Sequence, residues 1–447
     1  MTDSGYLHRA AREIFNHSLK SVDAYAAVRR TVQLEDASLT LVNTTLNLAA
    51  NPHGIYCVAI GKAARPMAAA LGEILGEHLT AGVITAPTDN ISFNPRWRVF
   101  EGGHPLPNGA SLDAAQAAFR LLRRAERERA PVIFLISGGG SAMMEWPRDQ
   151  ETTLEDLRAV HRALVSCGAS IEEINVVRRA ISSVKGGGLA RSAPHCEQVT
   201  LIVSDTNAGE EATVASGPTF DETAGDTEAS RIVARYKLNT SLPHSILRVI
   251  QQPFRETAVP FEHPSRAHYV LLDNERALSS AAEAASERGF TVEVAREVIE
   301  QPVEEGCSML LAKLFELSRR TGANGRGVCL ISGGEFACPV RGQGIGGRNA
   351  ESVLRWAMEL DALFQSAPGI SHVVALSAGT DGADGNSPAA GAICDETTIN
   401  CARQLKLDAH RFLDESNAYT FFQALNNTLK TGPTGTNVRD VRVLLAS

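Results

Sequence analysis

Short apolar runs that end in glycine or serine and lead into helical patterns recur along this chain. Three of them in the first half read YCVAIGKAA, PVIFLISGGGSA and QVTLIVSDTNAG. Apolar runs of about five residues followed by helices are typical of parallel strands in an α/β sheet. The repetition therefore predicts an α/β fold in which strands feed helices.

The length of 447 residues predicts two or three domains. The stretch ASGPTFDETAGDT is too rich in turn-forming residues to be regular, and a helical, proline-interrupted region follows it. We therefore expect one domain over residues 1–230 and a second over 231–447. The final segment, about 415–447, has the alternation of a strand behind a Gly/Thr loop and is a candidate to return to the first domain. Two lobes in contact predict a cleft between them, the usual place for a ligand.

Two helices between the second and third predicted strands have readable starts. Thr152-x-x-Glu155 and Ser170-x-x-Glu173 are capping-box patterns, which satisfy free backbone N–H groups at a helix N-terminus. The second helix is expected to stop at Lys185-Gly186, where glycine takes a left-handed cap.

Charge and cysteine usage exclude several classes of function. The chain has 51 acidic and 43 basic residues, a net charge of −8, so it lacks the basic surface that nucleic acid requires. The N-terminus has no signal-peptide pattern and no window approaches about 18 apolar residues, which predicts a protein that is neither exported nor membrane-spanning. The eight cysteines form no C-x-x-C pair, which predicts reduced thiols in the cytoplasm.

The first predicted strand is followed by Gly61 and Lys62. A lysine at the end of a strand can meet a phosphate or a carboxylate, although a solvated lysine explains the residue equally well. The sequence is not a Walker A loop, because that motif would need glycine at Tyr56 and serine or threonine at Ala63. A P-loop ATPase is therefore disfavoured.

Two further segments combine glycines with polar residues. Ser137, Gly138, Gly139, Gly140 and Ser141 follow the second strand, and glycines there let backbone N–H groups approach an anion. A second glycine run, Lys185, Gly186, Gly187 and Gly188, follows a predicted helix. On that helix Asn175, Arg178 and Ser182 share one face, for which a solvated basic surface is the simpler reading.

Acidic residues follow three other apolar runs. They are Asp205, Asp381 and Glu335. Carboxylates at strand ends can hold Mg²⁺ through one or two contacts while waters and phosphates complete the octahedron. Asp and Gly are also ordinary turn residues, and the DGADGN run lacks the ligand spacing of a calcium-binding loop.

The segment from Gly342 to Asn349 reads GQGIGGRN and satisfies G-x-G-x-x-G. A dinucleotide site also needs an acidic residue about twenty positions on, at the end of the next strand. Asp361 lies inside a predicted helix and Asp381 comes too late, so we discount a dinucleotide site. An arginine and an asparagine at a helix N-terminus still suit a phosphoryl or carboxylate group. The isolated His104 in GGHPLPN is interpreted as a structural loop residue.

Several of these segments together resemble one known family. The segments are AIGKAARPMAAA, EGGHPLPN, LISGGGSAMMEWP, INVVRRAISSVKGGGLA, IVSDTNAG, ISGGE, GIGGRNAE and ALSAGTDGADGNSPAAGAICD. They resemble the glycerate 2-kinase family, whose C-terminal part is known as the MOFRL domain, here about residues 325–440. Members have often been labelled hydroxypyruvate reductase. The match runs from about residue 8 onward with its motifs in order.

The resemblance implies two α/β lobes: a Rossmann-like, mostly parallel sheet flanked by helices, and a MOFRL lobe with a mixed sheet. The active site is expected in the cleft between the lobes. The implied reaction is the ATP- and Mg²⁺-dependent phosphorylation of D-glycerate to 2-phosphoglycerate. The partners are then small molecules, and a homodimer is considered. The alternatives are an NAD(P)H-dependent hydroxypyruvate reductase and a non-catalytic sugar-acid binding protein.

The family's lysine and arginine carry over onto Lys62 and Arg348. We expect both to face the transferring phosphate and the substrate carboxylate, and Arg348 suits the bidentate carboxylate contact because its planar fork matches two oxygens. Asp381 is expected to act as base or metal partner. The glycine segments are expected to hold ATP phosphates through the N–H groups of Ser137, Gly138, Gly139, Gly140, Ser141, Lys185, Gly186 and Gly187. Asp205 and Glu335 are the expected Mg²⁺ ligands.

One position departs from the family's pattern. Where relatives commonly read SDV-x-GD, this chain has Glu210, which keeps the charge on a longer arm.

Overall fold

The computed structural model describes residues 4–89, 91–221, 228–252, 266–321, 327–366 and 372–447. The strands in these ranges, in chain order, are β1 Val32–Glu35, β2 Ser38–Leu41, β3 Thr44–Asn47, β4 Ile55–Ile60, β5 Leu79–Thr85, β6 Trp97–Phe100, β7 Val132–Ser137, β8 Gln198–Val203, β9 Arg266–Leu272, β10 Thr291–Val294, β11 Val328–Gly334, β12 Val373–Gly379, β13 Gly391–Asp395, β14 Thr428–Leu429 and β15 Asp440–Ala446.

The α-helices in the same ranges are α1 Ser4–Ser21, α2 Ala24–Thr31, α3 Ala64–Leu75, α4 Gly109–Glu128, α5 Gly140–Met143, α6 Leu154–Ser166, α7 Ile171–Ile181, α8 Glu228–Arg235, α9 His244–Gln251, α10 Asn274–Glu287, α11 Val303–Thr321, α12 Arg348–Ser366, α13 Thr398–Gln404, α14 Ala409–Asp414 and α15 Ala418–Ala424. None of these helices combines the length and the apolar character needed to cross a lipid bilayer.

The chain divides into two compact units, which we name by their sheets. The parallel-sheet unit is Ala24–Leu272, and the mixed-sheet unit combines the segment that ends at Asp23 with Asp273–Ser447. This division differs from the predicted boundary after residue 230. The apolar run AHYVLLDN, which lies within the predicted second domain of residues 231–447, forms β9 and pairs in parallel with β8, so the first unit extends to Leu272.

The parallel-sheet unit contains a six-stranded sheet in the order β6-β5-β4-β7-β8-β9, in which all neighbouring strands are parallel. Every residue of β4, β7 and β8 is buried, which explains why these strands are continuous apolar runs. The sequence prediction of parallel strands is confirmed for all three. A separate antiparallel meander, β1-β2-β3, belongs to the same unit.

The mixed-sheet unit contains a six-stranded sheet in the order β10-β11-β15-β12-β13-β14. Strand β15 lies between β11 and β12 and is antiparallel to both. The segment from about 415 onward therefore completes the second sheet, and the expectation that it returns to the first domain is wrong. All seven residues of β15 are buried because the strand is central and helices α1, α10 and α11 pack against it.

The predicted helix boundaries shift in two places. The capping box at Ser170 and Glu173 is confirmed, but the preceding helix is capped by Thr153 and Asp156, one residue later than predicted. Helix α7 ends at Ile181 rather than at Lys185-Gly186, because Ser182 turns to an extended conformation. The segment after Ile181 then forms backbone hydrogen bonds with residues 216 and 217.

Candidate active site

The carboxyl ends of strands β4, β7 and β8 bring three predicted site residues together. The backbone N–H of Lys62, after β4, donates to the carbonyl oxygen of Gly138, after β7, at 2.9 Å. A Cβ on Gly138 would lie 1.8 Å from Oδ2 of Asp205, which follows β8. The Asp205 carboxylate therefore packs against the bare Cα of Gly138. Strand ends of a parallel sheet meet at one edge, which is why three distant motifs converge here.

Ser137 has an internal role. Its side chain is fully buried, its hydroxyl donates to the carbonyl oxygen of Ile60 at 3.1 Å, and it accepts from the N–H of Ala63 at 3.0 Å. These two bonds join the ends of β4 and β7. Its side chain therefore supports the loop that carries Lys62, and the predicted contact of the Ser137 N–H group with the cofactor stays a prediction.

The glycines after Ser137 lead into the short helix α5, and we call residues 138–141 the glycine loop. Gly139 has φ +80°, a conformation that favours glycine, and no side chain caps the helix start. Uncapped N–H groups at a helix start favour a negatively charged ligand. The imidazole of His104 lies against this position, with Nε2 3.4 Å from where a Cβ on Gly139 would be. We had interpreted His104 as a structural loop residue, yet the fold places it at the glycine loop.

Ser141 connects the glycine loop to two residues that the sequence analysis gave no site role. Its hydroxyl lies 2.8 Å from Oγ of Ser216, which donates to Oδ1 of the buried Asn175 at 2.9 Å. Ser216 and its neighbour Ala215 have φ values of +62° and +52°. The Asn175 face of α7 is therefore buried against the loop, and the reading of a solvated basic surface is wrong for Asn175 and Ser182.

The second glycine segment cannot hold phosphates in the predicted way. The N–H of Gly186 donates to the carbonyl oxygen of Ser216 at 3.0 Å, and the N–H of Gly187 donates to that of Gly217 at 2.7 Å. The Lys185 ammonium is fully buried and forms an ion pair with Glu145. These N–H groups and this cation already have internal partners, so the assignment of Lys185, Gly186 and Gly187 to cofactor binding is corrected.

In the mixed-sheet unit the predicted Arg348 forms a fork with Asp440. Its Nε donates to Oδ2 at 2.6 Å and its Nη2 donates to Oδ1 at 3.1 Å, and Nη2 also lies 2.8 Å from Oε1 of Glu335. Burial by itself lowers the pKa of Arg348, but the two carboxylates outweigh it and raise that pKa above its ordinary value. The fork that we expected to bind the substrate carboxylate is thus occupied by an internal carboxylate.

Asp440 is the centre of a buried polar cluster. It is fully buried, accepts from Nδ2 of Asn349 at 2.9 Å, and lies 3.8 Å from Nη2 of the buried Arg442. Burial raises the pKa of Asp440, but the Arg348 guanidinium reverses the effect and lowers it below the ordinary value. The side-chain amide of Asn274 donates to the Asp440 carbonyl oxygen at 3.0 Å and holds the start of β15.

The start of helix α12 is already capped by a carboxylate. Oδ1 of Asp384 accepts from the N–H of Asn349 at 2.9 Å, and Oδ2 accepts from the N–H of Ala350 at 2.8 Å. A Cβ on Gly347 would lie 2.3 Å from Oδ1 of Asp384. The glycine there serves close packing, and the anion site that we predicted at this helix N-terminus is filled by Asp384. Strand β11 ends at Gly334, well before α12, so the discounted dinucleotide motif also lacks a direct strand-to-helix turn.

Asp384 gives a pH-dependent prediction. Burial raises the pKa of Asp384 from 3.8 to about 6, against the effect of its two backbone N–H partners. A carboxyl whose pKa is raised on folding contributes stability that is fully present below its pKa in the unfolded protein. This contribution is lost as the pH rises through its pKa in the folded protein. Two pKa units correspond to about 3 kcal/mol. We therefore expect the free energy of unfolding of the parent, relative to Asp384→Asn, to be about 2–3 kcal/mol larger at pH 4 than at pH 7.5.

Urea unfolding of both proteins at the two pH values measures this difference. The exposed Asp414, in the last turn of α14, supplies the control for a carboxylate-to-amide change at the surface, and Asp414→Asn is measured at the same two pH values. A difference between the parent and Asp384→Asn that is the same at both pH values would contradict the prediction.

The other predicted acids have partners in their own unit. Glu335 pairs with Arg348, and Oδ1 of Asp381 accepts the N–H of Ala383 at 3.1 Å, which closes the turn after β12. The described residues contain no group of three His, Cys, Asp or Glu side chains placed to hold a metal ion. The geometry therefore gives Glu335 an arginine as its partner, and the metal role of Asp205 and the base role of Asp381 stay predictions.

A cavity of about 520 Å³ lies beside Arg348 in the mixed-sheet unit. Its wall includes the apolar side chains of Phe336 and Val340, together with Gly347 and Asn386. This volume is in the range of small-molecule pockets.

Comparison with known proteins gives matches over both parts of the chain. A family described as a domain of unknown function, DUF4147, matches residues 10–251, and the MOFRL family matches residues 328–440. The D-glycerate 2-kinase of Thermotoga maritima is 32% identical over 99% of this chain and 99% of its own length. The glycerate 2-kinase of Pyrococcus horikoshii is 32% identical over 97% of this chain and 96% of its own length.

Solved structures match the fold over the same extent. The crystal structure of a glycerate kinase from Thermotoga maritima is similar with a TM-score of 0.80 and 30% identity, and the match covers 99% of both chains. A protein from Pyrococcus horikoshii OT3 is similar with a TM-score of 0.76 and 29% identity, over 99% of this chain and 98% of that one. The similarity thus extends over the full described architecture.

Proposed function

Because the chain belongs to the glycerate kinase family, in which a DUF4147 domain and a MOFRL domain share one polypeptide, we propose that it is an ATP-dependent glycerate kinase. The observation that carries this proposal is the extent of the similarity: 32% identity over 99% of both chains leaves neither unit unmatched. The finer proposal is that MgATP phosphorylates the 2-hydroxyl of D-glycerate.

The edge of the parallel sheet has the donor set that nucleotide phosphates require. The start of α5 carries no side-chain cap, Lys62 supplies a cation after the neighbouring strand, and the Asp205 carboxylate packs against Gly138. N–H groups and a lysine suit phosphate oxygens, and one carboxylate suits a magnesium ion that keeps its waters and phosphate ligands. We propose that Gly138, Gly139, Gly140 and Ser141 hold the phosphates and that Asp205 holds Mg²⁺.

The reaction requires few covalent roles from the protein. The hydroxyl oxygen of glycerate forms a bond to the γ-phosphorus of ATP, the bond from that phosphorus to the β–γ bridging oxygen breaks, and the hydroxyl proton passes to a base. Magnesium, when bound, neutralises charge on the phosphates. Catalysis of such a transfer is mostly positioning and charge stabilisation. In this proposal Lys62 stabilises the transferring phosphoryl group and Asp381 accepts the proton.

Lys62 and Asp205 belong to the parallel-sheet unit, whereas Arg348 and Asp381 belong to the mixed-sheet unit. In the proposed function Arg348 acts as a cation fixed by Asp440 and Glu335, not as an open fork for the substrate carboxylate.

The proposal places the enzyme in the cytoplasm with small-molecule substrates. Its eight cysteines are unpaired thiols, which suits a reducing compartment, and the net charge of −8 disfavours nucleic acid as a partner. A homodimer stays a prediction.

The direct test is ADP release from the purified protein with D-glycerate and MgATP, beside NADH and NADPH oxidation with hydroxypyruvate. ADP release that depends on glycerate supports the kinase, and phosphorus NMR of the product distinguishes 2- from 3-phosphoglycerate. Nicotinamide oxidation without ADP release would instead establish the reductase. Binding of glycerate without either reaction would point to a sugar-acid binding protein.

Gly138→Ala tests the packing of Asp205 on the glycine loop. The new Cβ would meet Asp205 Oδ2 at 1.8 Å, so the carboxylate must move. We expect the KM for MgATP to rise about tenfold, the effect of losing one favourable charged contact, with little change in thermal midpoint. Gly109→Ala is the control because nothing lies within 4 Å of its added Cβ. An unchanged KM for MgATP in Gly138→Ala would remove Asp205 from the magnesium site.

A further inference from the structure

Lys185 and Glu145 form an ion pair that the proposed chemistry does not use. Both side chains are buried, at most 1% exposed. Removing two charges from water costs several kcal/mol for each ion, and well-packed apolar residues often serve stability equally well. A gain in stability is therefore a poor explanation for this buried ion pair, and holding the neighbouring ligand site in place is a better one.

Glu145 is held from several sides. Its Oε1 accepts from the hydroxyl of Ser182 at 2.5 Å and from the N–H of Trp146 at 3.0 Å, while Oε2 accepts from the Lys185 ammonium and lies 3.9 Å from Nε2 of the buried His161. Burial raises the pKa of Glu145, but Lys185 outweighs it and lowers that pKa to about 2. The carboxylate is therefore ionised at neutral pH and has one fixed orientation.

The contacts around the pair form a closed circuit. Lys185 is followed by Gly186, whose N–H donates to the Ser216 carbonyl oxygen at 3.0 Å. The Ser216 hydroxyl lies 2.8 Å from that of Ser141, which is in α5, and Glu145 follows α5 two residues after its end. The circuit thus returns to its starting point through the backbone between Ser141, at the end of the glycine segment, and Glu145. We name these five residues, Glu145, Lys185, Gly186, Ser216 and Ser141, the bracing ring.

The turn that contains Ser216 of the bracing ring packs against the glycine loop, which is proposed to face the ligand. A Cβ on Gly140 would lie 2.9 Å from Cβ of Ala215 and 2.7 Å from Cγ2 of Ile60, so the turn before Ser216 packs on the loop without a gap. Ala215 and Ser216 keep left-handed backbone conformations that are unfavourable for residues other than glycine. A strained turn keeps such a conformation only where its surroundings fix it.

We propose that the Glu145–Lys185 ion pair is a positioning element of the nucleotide site: it closes the bracing ring and fixes the glycine loop for the phosphates of ATP without touching them. The proposal rests on the proposed function and adds Lys185 and Glu145 to it as positioning residues. It also explains why the glycine run after Lys185 has its N–H groups turned inward.

The test measures MgATP affinity by calorimetry and the KM for D-glycerate in folded variants. Lys185→Met removes the cation at similar length, Glu145→Gln removes the charge but keeps acceptor and donor atoms, and Ser216→Ala opens the ring elsewhere. We expect the Kd for MgATP to rise at least tenfold in the first two and about threefold in the third, while the KM for glycerate changes less than twofold. The double variant Glu145→Gln/Lys185→Met should bind MgATP no more weakly than the single variant with the larger Kd, because either substitution alone already breaks the ring.

Leu41→Ala is the matched control for destabilisation. Leu41 is fully buried in the β1-β2-β3 meander of the same unit and lies outside the ring. It should lower the thermal midpoint and leave the Kd for MgATP within twofold of the parent. If Lys185→Met does not fold, Glu145→Gln and Ser216→Ala still decide the question.

Two results would overturn the positioning role: folded ring variants that bind MgATP within twofold of the parent, or a Leu41→Ala variant that loses as much affinity at an equal loss of thermal midpoint. Failure of the kinase assignment looks different. In that case the parent binds MgATP, and the ring variants weaken this binding, but no ADP release depends on glycerate.

Discussion

Lys62→Ala is expected to lower kcat/KM for glycerate-dependent ADP formation by about a hundredfold or more, because removing one group that stabilises transition-state charge typically costs 10²–10³ in rate. The backbone of Lys62 is fixed by its hydrogen bond to Gly138, so the ammonium extends from a rigid strand end. The side chain is only partly buried, and we therefore expect no measurable loss of thermal midpoint.

Steady-state kinetics with MgATP and D-glycerate measure the effect of Lys62→Ala. The matched control is Lys20→Ala, which removes an exposed lysine from the last turn of α1 and should change kcat/KM by less than twofold. A loss smaller than tenfold in Lys62→Ala would identify Lys62 as an ordinary surface lysine and remove it from the phosphoryl-transfer site.

The second large effect concerns stability. Asp440→Asn leaves Arg348 and the fully buried Arg442 without the carboxylate between them, and an uncompensated buried charge costs about 3–5 kcal/mol. We expect the free energy of unfolding to fall by about this amount, with a midpoint shift in urea at nearly unchanged slope. Adding Arg442→Met to Asp440→Asn should recover part of the loss because it removes one of the two cations.

An exposed ion pair of the same type provides the comparison for Asp440. Arg403 forms a fork with Asp361 at 2.9 and 2.6 Å, but its side chain is 54% exposed. Surface pairs contribute about 0–1 kcal/mol, so Asp361→Asn should cost no more than that. Equal losses in Asp361→Asn and Asp440→Asn would show that burial of the Asp440 cluster adds nothing to stability.

The parallel sheet was predictable because its signal is local. Strands β4, β7 and β8 are buried on both faces, so each is a short, continuous apolar run in the sequence. Because these strands are parallel and adjacent, Lys62, Gly138 and Asp205, which follow them, lie at one edge of the sheet. Strand β9 was assigned to the wrong domain because its pairing with β8 crosses more than sixty residues, and no local pattern records that pairing.

The partners of the charged residues were not predictable from the sequence. Arg348 binds Asp440, 92 residues further along the chain, and Lys185 binds Glu145, 40 residues before it. Spacing on one helix indicates which side chains share a face, although Ser182 lies beyond the end of α7 and so falls outside that pattern. It does not indicate whether that face meets water or a second layer of polar groups. For the same reason the inward orientation of the Gly186 and Gly187 N–H groups had no sequence signal.

The position of β15 has a consequence for how the protein is made. The mixed-sheet unit takes helix α1 from before the parallel-sheet unit and every strand of its own sheet from after it, and β15, last in chain order, fills the gap between β11 and β12. Synthesis from the N-terminus supplies β4 to β9 long before β15 leaves the ribosome. The parallel-sheet unit can therefore fold during translation, whereas α1 and strands β10 to β14 must wait, with the facing edges of β11 and β12 unpaired and open to aggregation, until β15 has been synthesised.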